Sequence, residues 1–158
     1  MGKILNHKIT SNIYVLGTRY KLEINTMIAT WVTQVSGDPE MVAVAVKPER
    51  YSHGMIRGSR VFTLAVLKAE QVDIYDRFKG EKHIDIDNGT INGIACHLGE
   101  NGAPVPAECV GFLELDLARE IPAGNHTLFL GRVTRDVEVD GGEPLTAVHL
   151  LEHFYVGN

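Results

Sequence analysis

Short apolar blocks separated by turn residues run along most of this chain, and they predict a mainly β protein. Two β-branched-rich runs, 27–35 and 41–46, are bounded by Gly37-Asp38-Pro39 and by Pro48, which suits strands packed on both faces and paired as a hairpin. Between 51 and 57 the apolar residues fall at Tyr51, Met55 and Ile56, a helical spacing, with Ser52 placed to cap the helix start. Residues 61–67 return as a strand, 12–16 read as a first strand, and 69–78 read as a helix that presents Val72, Tyr75 and Phe78 on one face and stops at Gly80. The middle, 83–107, is turn-rich: Asn-Gly recurs at 88, 92 and 101, and Pro104 and Pro106 flank Val105, so short hairpins or an irregular flap are expected. Strands are expected at 110–117 and at 127–139, the latter ending in Asp140-Gly141-Gly142. The closing run, 146–156, fits a strand or a helix. Many strands with few helices point to a closed β-barrel, which removes exposed sheet edges.

Composition narrows the classes. A chain of 158 residues without an internal repeat, low-complexity tract or linker is read as one domain, 1–158. Its net charge of −5 and lack of a basic run argue against nucleic acid and anionic membrane as partners. No apolar stretch nears the ~20 residues of a membrane span, and the N-terminus lacks an apolar leader, so a cytoplasmic protein is expected. Cys96 and Cys109 are too far apart for a CxxC element and are expected as free, partly buried thiols.

Candidate chemistry concentrates near residue 50. Free N–H groups at a helix start, with a hydroxyl such as Ser52 and a guanidinium such as Arg50, make a site for a phosphate monoester, although most serine caps serve only their helix. A competing motif is His149-Leu150-Leu151-Glu152-His153, which has the H-x-x-E-H spacing of inverted zinc peptidases. Such a peptidase needs a third protein ligand from a following helix, which is not expected here with Asn158 as the last residue. There is no G-x-S-x-G elbow, Walker loop or G-x-G-x-x-G fingerprint.

Four segments together carry a resemblance. They are Asn25-Thr26-Met27-Ile28-Ala29-Thr30-Trp31, Pro48-Glu49-Arg50-Tyr51-Ser52-His53, Asp76-Arg77-Phe78, and Gly124-Asn125-His126-Thr127-Leu128-Phe129-Leu130-Gly131. In order and spacing they resemble the flavin reductase-like, FMN-binding split-barrel family over nearly the whole chain. Thr30, Arg77 and Asn125 stand where that family commonly has Ser, Lys and Asp.

The resemblance implies an FMN-binding split β-barrel, Greek-key-like, with one or two short helices. It implies a homodimer with FMN near the subunit interface, FAD being the alternative flavin. NADH or NADPH would reduce the flavin, and a redox protein or free flavin would accept the electrons. Asn25 and the backbone of Thr26, Met27, Ala29 and Thr30 would follow the flavin ring edge and ribityl chain. Trp31 would supply an apolar wall, Ser52 the phosphate contact with Arg50 assisting, and Arg77 a cation reaching the phosphate or the ring O2 from another subunit. His126 would donate to a flavin carbonyl or sit against the nicotinamide, and Phe154 or Tyr155 would stack near the ring. The plain readings stay open: core tryptophan, solvated Arg77, turn histidine, core Phe154. An FMN electron carrier without NAD(P)H turnover is the alternative function, and a cofactor-free interaction barrel a third.

Overall fold

The computed structural model describes residues 11–79 and 86–154. Strands β1 (Tyr14–Tyr20), β2 (Glu23–Ala29), β3 (Val32–Gly37), β4 (Glu40–Val46), β5 (Val61–Val66), β10 (Gly111–Ala123) and β11 (His126–Glu138) form one antiparallel seven-stranded sheet, ordered β2-β1-β5-β10-β11-β4-β3. The alternation of direction around this sheet makes its two edges, β2 and β3, run in the same sense, and only Thr30 and Trp31 separate them in the chain. They are two halves of one extended run that leaves β1 and joins β4.

The expected strand at 27–35 is therefore correct as an extended run but not as one ladder. Its first part pairs with β1, Met27 opposite Leu16, and its second pairs with β4 as the expected hairpin, Val32 opposite Val44. The expected closed barrel is corrected as well: the sheet curls but does not close, because this shared run bridges the two sides at a point and leaves a split beside β2.

In β1, β5 and β10 alternating residues feed two cores, which explains why a run such as 61–67 reads as continuously apolar; in β4 Val42, Val44 and Val46 face the inner core alone, and β3 is largely exposed, so the expected packing on both faces fails at 32–35. Leu16, Phe62, Leu64, Val44, Leu115 and Phe129 point inward and meet Ile56 of helix α1 (Tyr51–Ser59). On the outer face, Val15, Ala65 and Phe112 pack with Ile74 and Phe78 of helix α2 (Val72–Phe78) and with Leu150 of helix α3 (Ala147–Phe154). The turn-rich middle contributes a small four-stranded sheet of β6 (Ile86–Asp87), β7 (Thr90–Ile91), β8 (Ile94–Leu98) and β9 (Pro104–Pro106) to that outer layer. β9 can lie on β1 because Gly17 has no side chain: a Cβ there would stand 2.0 Å from the Pro104 carbonyl oxygen. The same oxygen accepts a 2.8 Å hydrogen bond from Thr63.

Two strands run further than expected. β1 reaches Tyr20 rather than Leu16, with Gly17 and Thr18 still buried and only Tyr20 exposed, and β10 continues to Ala123 rather than Leu117 as a largely exposed end. The closing segment takes the helical alternative. The expected helix stop at Gly80 lies outside the described residues, α2 itself ending at Phe78. No helix among the described residues is long and apolar enough to cross a membrane.

Candidate functional site

The split is plugged by α1. β4 ends at Val46, residues 47–50 turn on a 3.0 Å hydrogen bond from Arg50 N–H to the Lys47 carbonyl, and the helix begins. Arg50, not Ser52, occupies the N-cap position, and its side chain makes no capping bond. Helix geometry leaves the first-turn N–H groups without helical acceptors, and among the described residues only His53 N–H finds a main-chain acceptor, the Arg50 carbonyl at 3.0 Å. No acidic residue stands in that turn.

The expectation that Ser52 caps the helix is thus corrected. As the second helical residue it falls on the inward face with Met55 and Ile56, and it is fully buried. Its hydroxyl accepts the Asn25 side-chain amide at 2.9 Å, with the Thr18 hydroxyl 3.4 Å away. Asn25 and Ser52, assigned to one site by resemblance, do meet.

His53 follows, 7% exposed, with Nε2 2.8 Å from the Thr127 hydroxyl and its ring centroid 5.0 Å from that of Phe129. Burial pushes its imidazole below the ordinary value, and the Arg57 guanidinium adds to this. The sequence reading assigns no site role to His53 or Thr127, although both stand in segments that carry the resemblance. The signal was there: His53 is next to Ser52 in the helix, and Thr127 is two residues from Phe129 on one strand face.

Trp31 is not a core residue. Ala29 and Val32 both pack toward the inner core although they are three apart, so the alternation slips at Thr30–Trp31. The Trp31 carbonyl accepts Ala45 N–H at 3.0 Å, and its side chain is left 59% exposed. There it meets His126, ring centroids 4.5 Å apart. His126 Nδ1 lies 2.7 Å from the Asn125 side-chain oxygen. With that oxygen as acceptor, Nδ1 carries the proton and Nε2 presents a lone pair. Burial, then Lys47, hold this imidazole below its ordinary value too.

The remaining candidates divide. Thr26, Met27 and Ala29 are buried on β2, Thr30 is half-buried, and the Thr26 hydroxyl has no hydrogen-bond partner. Because β2 is a sheet edge, its main-chain groups on the split side lack a strand partner. Arg50 lines an open cleft of about 800 Å³ with Tyr20, Leu22, Pro48, Tyr51 and Met55. Across that cleft the Tyr51 hydroxyl donates to the Glu23 carboxylate, which raises the Tyr51 phenol above its ordinary value. Arg77 lies elsewhere: its guanidinium donates to the Asn92 carbonyl at 3.4 Å, and among the described residues no bond links it to Ser52 or Trp31. Phe154 ends α3, but its side chain and Tyr155 lie outside the described residues, as do the side chains of Glu152 and His153. His149 Nδ1 accepts Thr146 N–H at 3.2 Å at the start of α3. Burial pushes the Cys96 and Cys109 thiols up to about 11, so neither is a ready nucleophile.

Comparison with known proteins agrees with this geometry. The model of the family described as flavin reductase like domain matches residues 6–155. The chain is 28% identical over 142 residues to a high molecular weight rubredoxin of Moorella thermoacetica, covering 89% of this chain and 61% of that one. It is 27% identical to a ferric-chelate reductase (NAD(P)H) of Archaeoglobus fulgidus, over 84% of this chain and 82% of that one. Among solved structures, the NADH:FAD oxidoreductase SgcE6 of Streptomyces globisporus superposes with TM-score 0.79 at 26% identity, over 91% of this chain and 84% of that one. An FMN-binding protein of Thermus thermophilus gives TM-score 0.75 at 28% identity, over 84% and 74%. The chain spans about three fifths of the rubredoxin and about half of an uncharacterised Aeropyrum pernix relative.

Proposed function

Because this chain belongs to the flavin reductase like domain family, we propose that it is a flavin-binding oxidoreductase that takes hydride from NADH or NADPH and passes the electrons on. One observation carries this reading. An exposed Trp31 meets His126 at a tilt of 42°, and His126 precedes Thr127, which His53 in the first turn of α1 reaches at 2.8 Å; that helix N-terminus has no side-chain cap and carries Arg50. That corner offers a wall for a planar ring beside a seat for a phosphate.

The residues fit a flavin mononucleotide. The first-turn N–H groups of α1 and the Arg50 guanidinium would hold the phosphate, and the open edge of β2 from Asn25 to Thr30 would meet the polar rim of the ring. Trp31 would flank the ring. The His126 Nε2 lone pair suits a donor, such as the amide of a nicotinamide, better than a flavin carbonyl. The buried Ser52 hydroxyl would act by holding Asn25 and the helix start in place. A bound flavin supplies the acceptance of hydride and its onward release as electrons; the protein binds, orients and leaves one face open. FMN is the proposed flavin, with FAD as the alternative.

A second reading has its own support. Relatives that share this segment, the rubredoxin and a diflavin flavoprotein of Synechocystis sp., are longer proteins of which it spans 61% and 26%. In such a setting the domain would carry electrons for a redox partner without reacting with NAD(P)H itself.

Absorption spectroscopy separates the two. The protein is mixed with FMN, freed of excess, and treated anaerobically with NADH and then NADPH. Flavin retained at about one per subunit and bleached by either nucleotide is the expected result. Retained but unbleached flavin favours the carrier, and no retained FMN or FAD overturns both.

A further inference from the structure

The first turn of α1 is tied to two different strands by two consecutive residues. Ser52 accepts the Asn25 amide of β2, at one edge of the sheet, at 2.9 Å. His53 reaches Thr127 on β11, third from the other edge, at 2.8 Å. The second tie is the more informative. Thr127 is the residue after His126, and the two side chains leave opposite faces of the strand: Thr127 inward beside Phe129, His126 outward onto Trp31. Any rotation or shift of the start of β11 therefore moves both. An imidazole on a helix face that otherwise buries Met55 and Ile56 carries a desolvation cost that a phenylalanine would avoid. In return it makes a directional bond shielded from water, and such bonds restrict a structure to one geometry.

We propose that His53 is a positioning residue. Its bond to Thr127 fixes the start of β11, and with it the contact of His126 with Trp31, relative to the N-terminus of α1. The spacing between the ring wall and the phosphate seat is thereby set from inside the barrel, by a residue that touches neither ligand group. The consequence for flavin binding rests on the reading above; the consequence for the Trp31–His126 pair does not.

Trp31 is the single tryptophan of the chain, so its emission reports on that pair without any flavin. The test compares the full chain with His53→Phe, which keeps the ring but not the bond, Thr127→Val, which removes the partner hydroxyl, and the double variant. His53→Gln, whose amide can still reach a hydroxyl, is the rescue. Both single variants should shift the Trp31 emission alike, the double variant should shift it no further, and His53→Gln should restore it. FMN affinity should fall roughly five- to tenfold in the single variants, the worth of one buried hydrogen bond. Wild-type emission in Thr127→Val with far-UV dichroism unchanged overturns the proposal, as do additive effects in the double variant. Should His53→Phe not fold, Thr127→Val decides. Should the wild-type protein take up no FMN, the flavin reading fails while the emission arm still judges His53.

Discussion

At the scale of single residues, the site is controlled by what each polar group is already bonded to. Ser52 and Arg50 were singled out together as phosphate ligands, yet the helix turns one inward and leaves the other at the cleft. His53 and His126 share a second property: burial is the first cause holding each imidazole below its ordinary value of 6.5. The unfolded chain therefore binds more protons than the folded one just below pH 6.5, and stability falls as the pH drops through that window. Denaturant midpoints measured from pH 7.5 down to pH 5 should decline below about 6.5. The decline should flatten in His126→Asn, and an unchanged slope would remove that imidazole from the account.

At the scale of elements, two contacts decide how the chain is layered. The run from β2 to β3 shifts from one partner strand to another at Thr30–Trp31, and the slip in alternation turns Trp31 outward. The small sheet depends instead on Gly17, whose missing side chain lets the Pro104 carbonyl approach β1. Gly17→Ala would put a methyl carbon 2.0 Å from that oxygen and 2.3 Å from the Thr63 hydroxyl. Overpacking against backbone of this kind costs about 3 kcal/mol, so the thermal midpoint should fall by roughly 5 to 10 °C. A midpoint within a degree of wild type would show that the two layers separate freely.

At the scale of the whole molecule, part of the sheet's outer face is only half covered. Ala45 of β4 pairs with Leu128 of β11, and Leu130 lies opposite the buried Ala43; Ala45, Leu128 and Leu130 keep partial exposure, and none of the three belongs to either buried cluster. The edge strand beside them, residues 32–37, carries no charged side chain and exposes Val35, while Trp31 just before it is exposed as well. An uncharged edge next to an apolar face suits a second copy of the chain, which supports the homodimer implied by the resemblance. Sedimentation velocity should find a dimer at micromolar concentration and a monomer for Leu128→Glu. A dimer that survives this substitution would place the interface elsewhere.

The apolar runs at 41–46 and 61–67, the turn residues around them and the four family segments determined by themselves that the chain is a β-rich split barrel of this family. Local pattern suffices there, because a strand such as 61–66, buried on both faces, must be apolar throughout and a turn must carry its glycines and prolines. Only the tertiary structure decided that residues 27–35 belong to two ladders, that the barrel stays open, and that Ser52 is an interior residue. It also decided that His53 and Thr127 meet, and that Arg77 lies apart from Ser52 and Trp31. The physical reason is common to all of these. Each depends on which partner lies across a gap in space, and residues such as 53 and 127, or 25 and 52, are brought together by the curl of the sheet rather than by any periodicity along the chain.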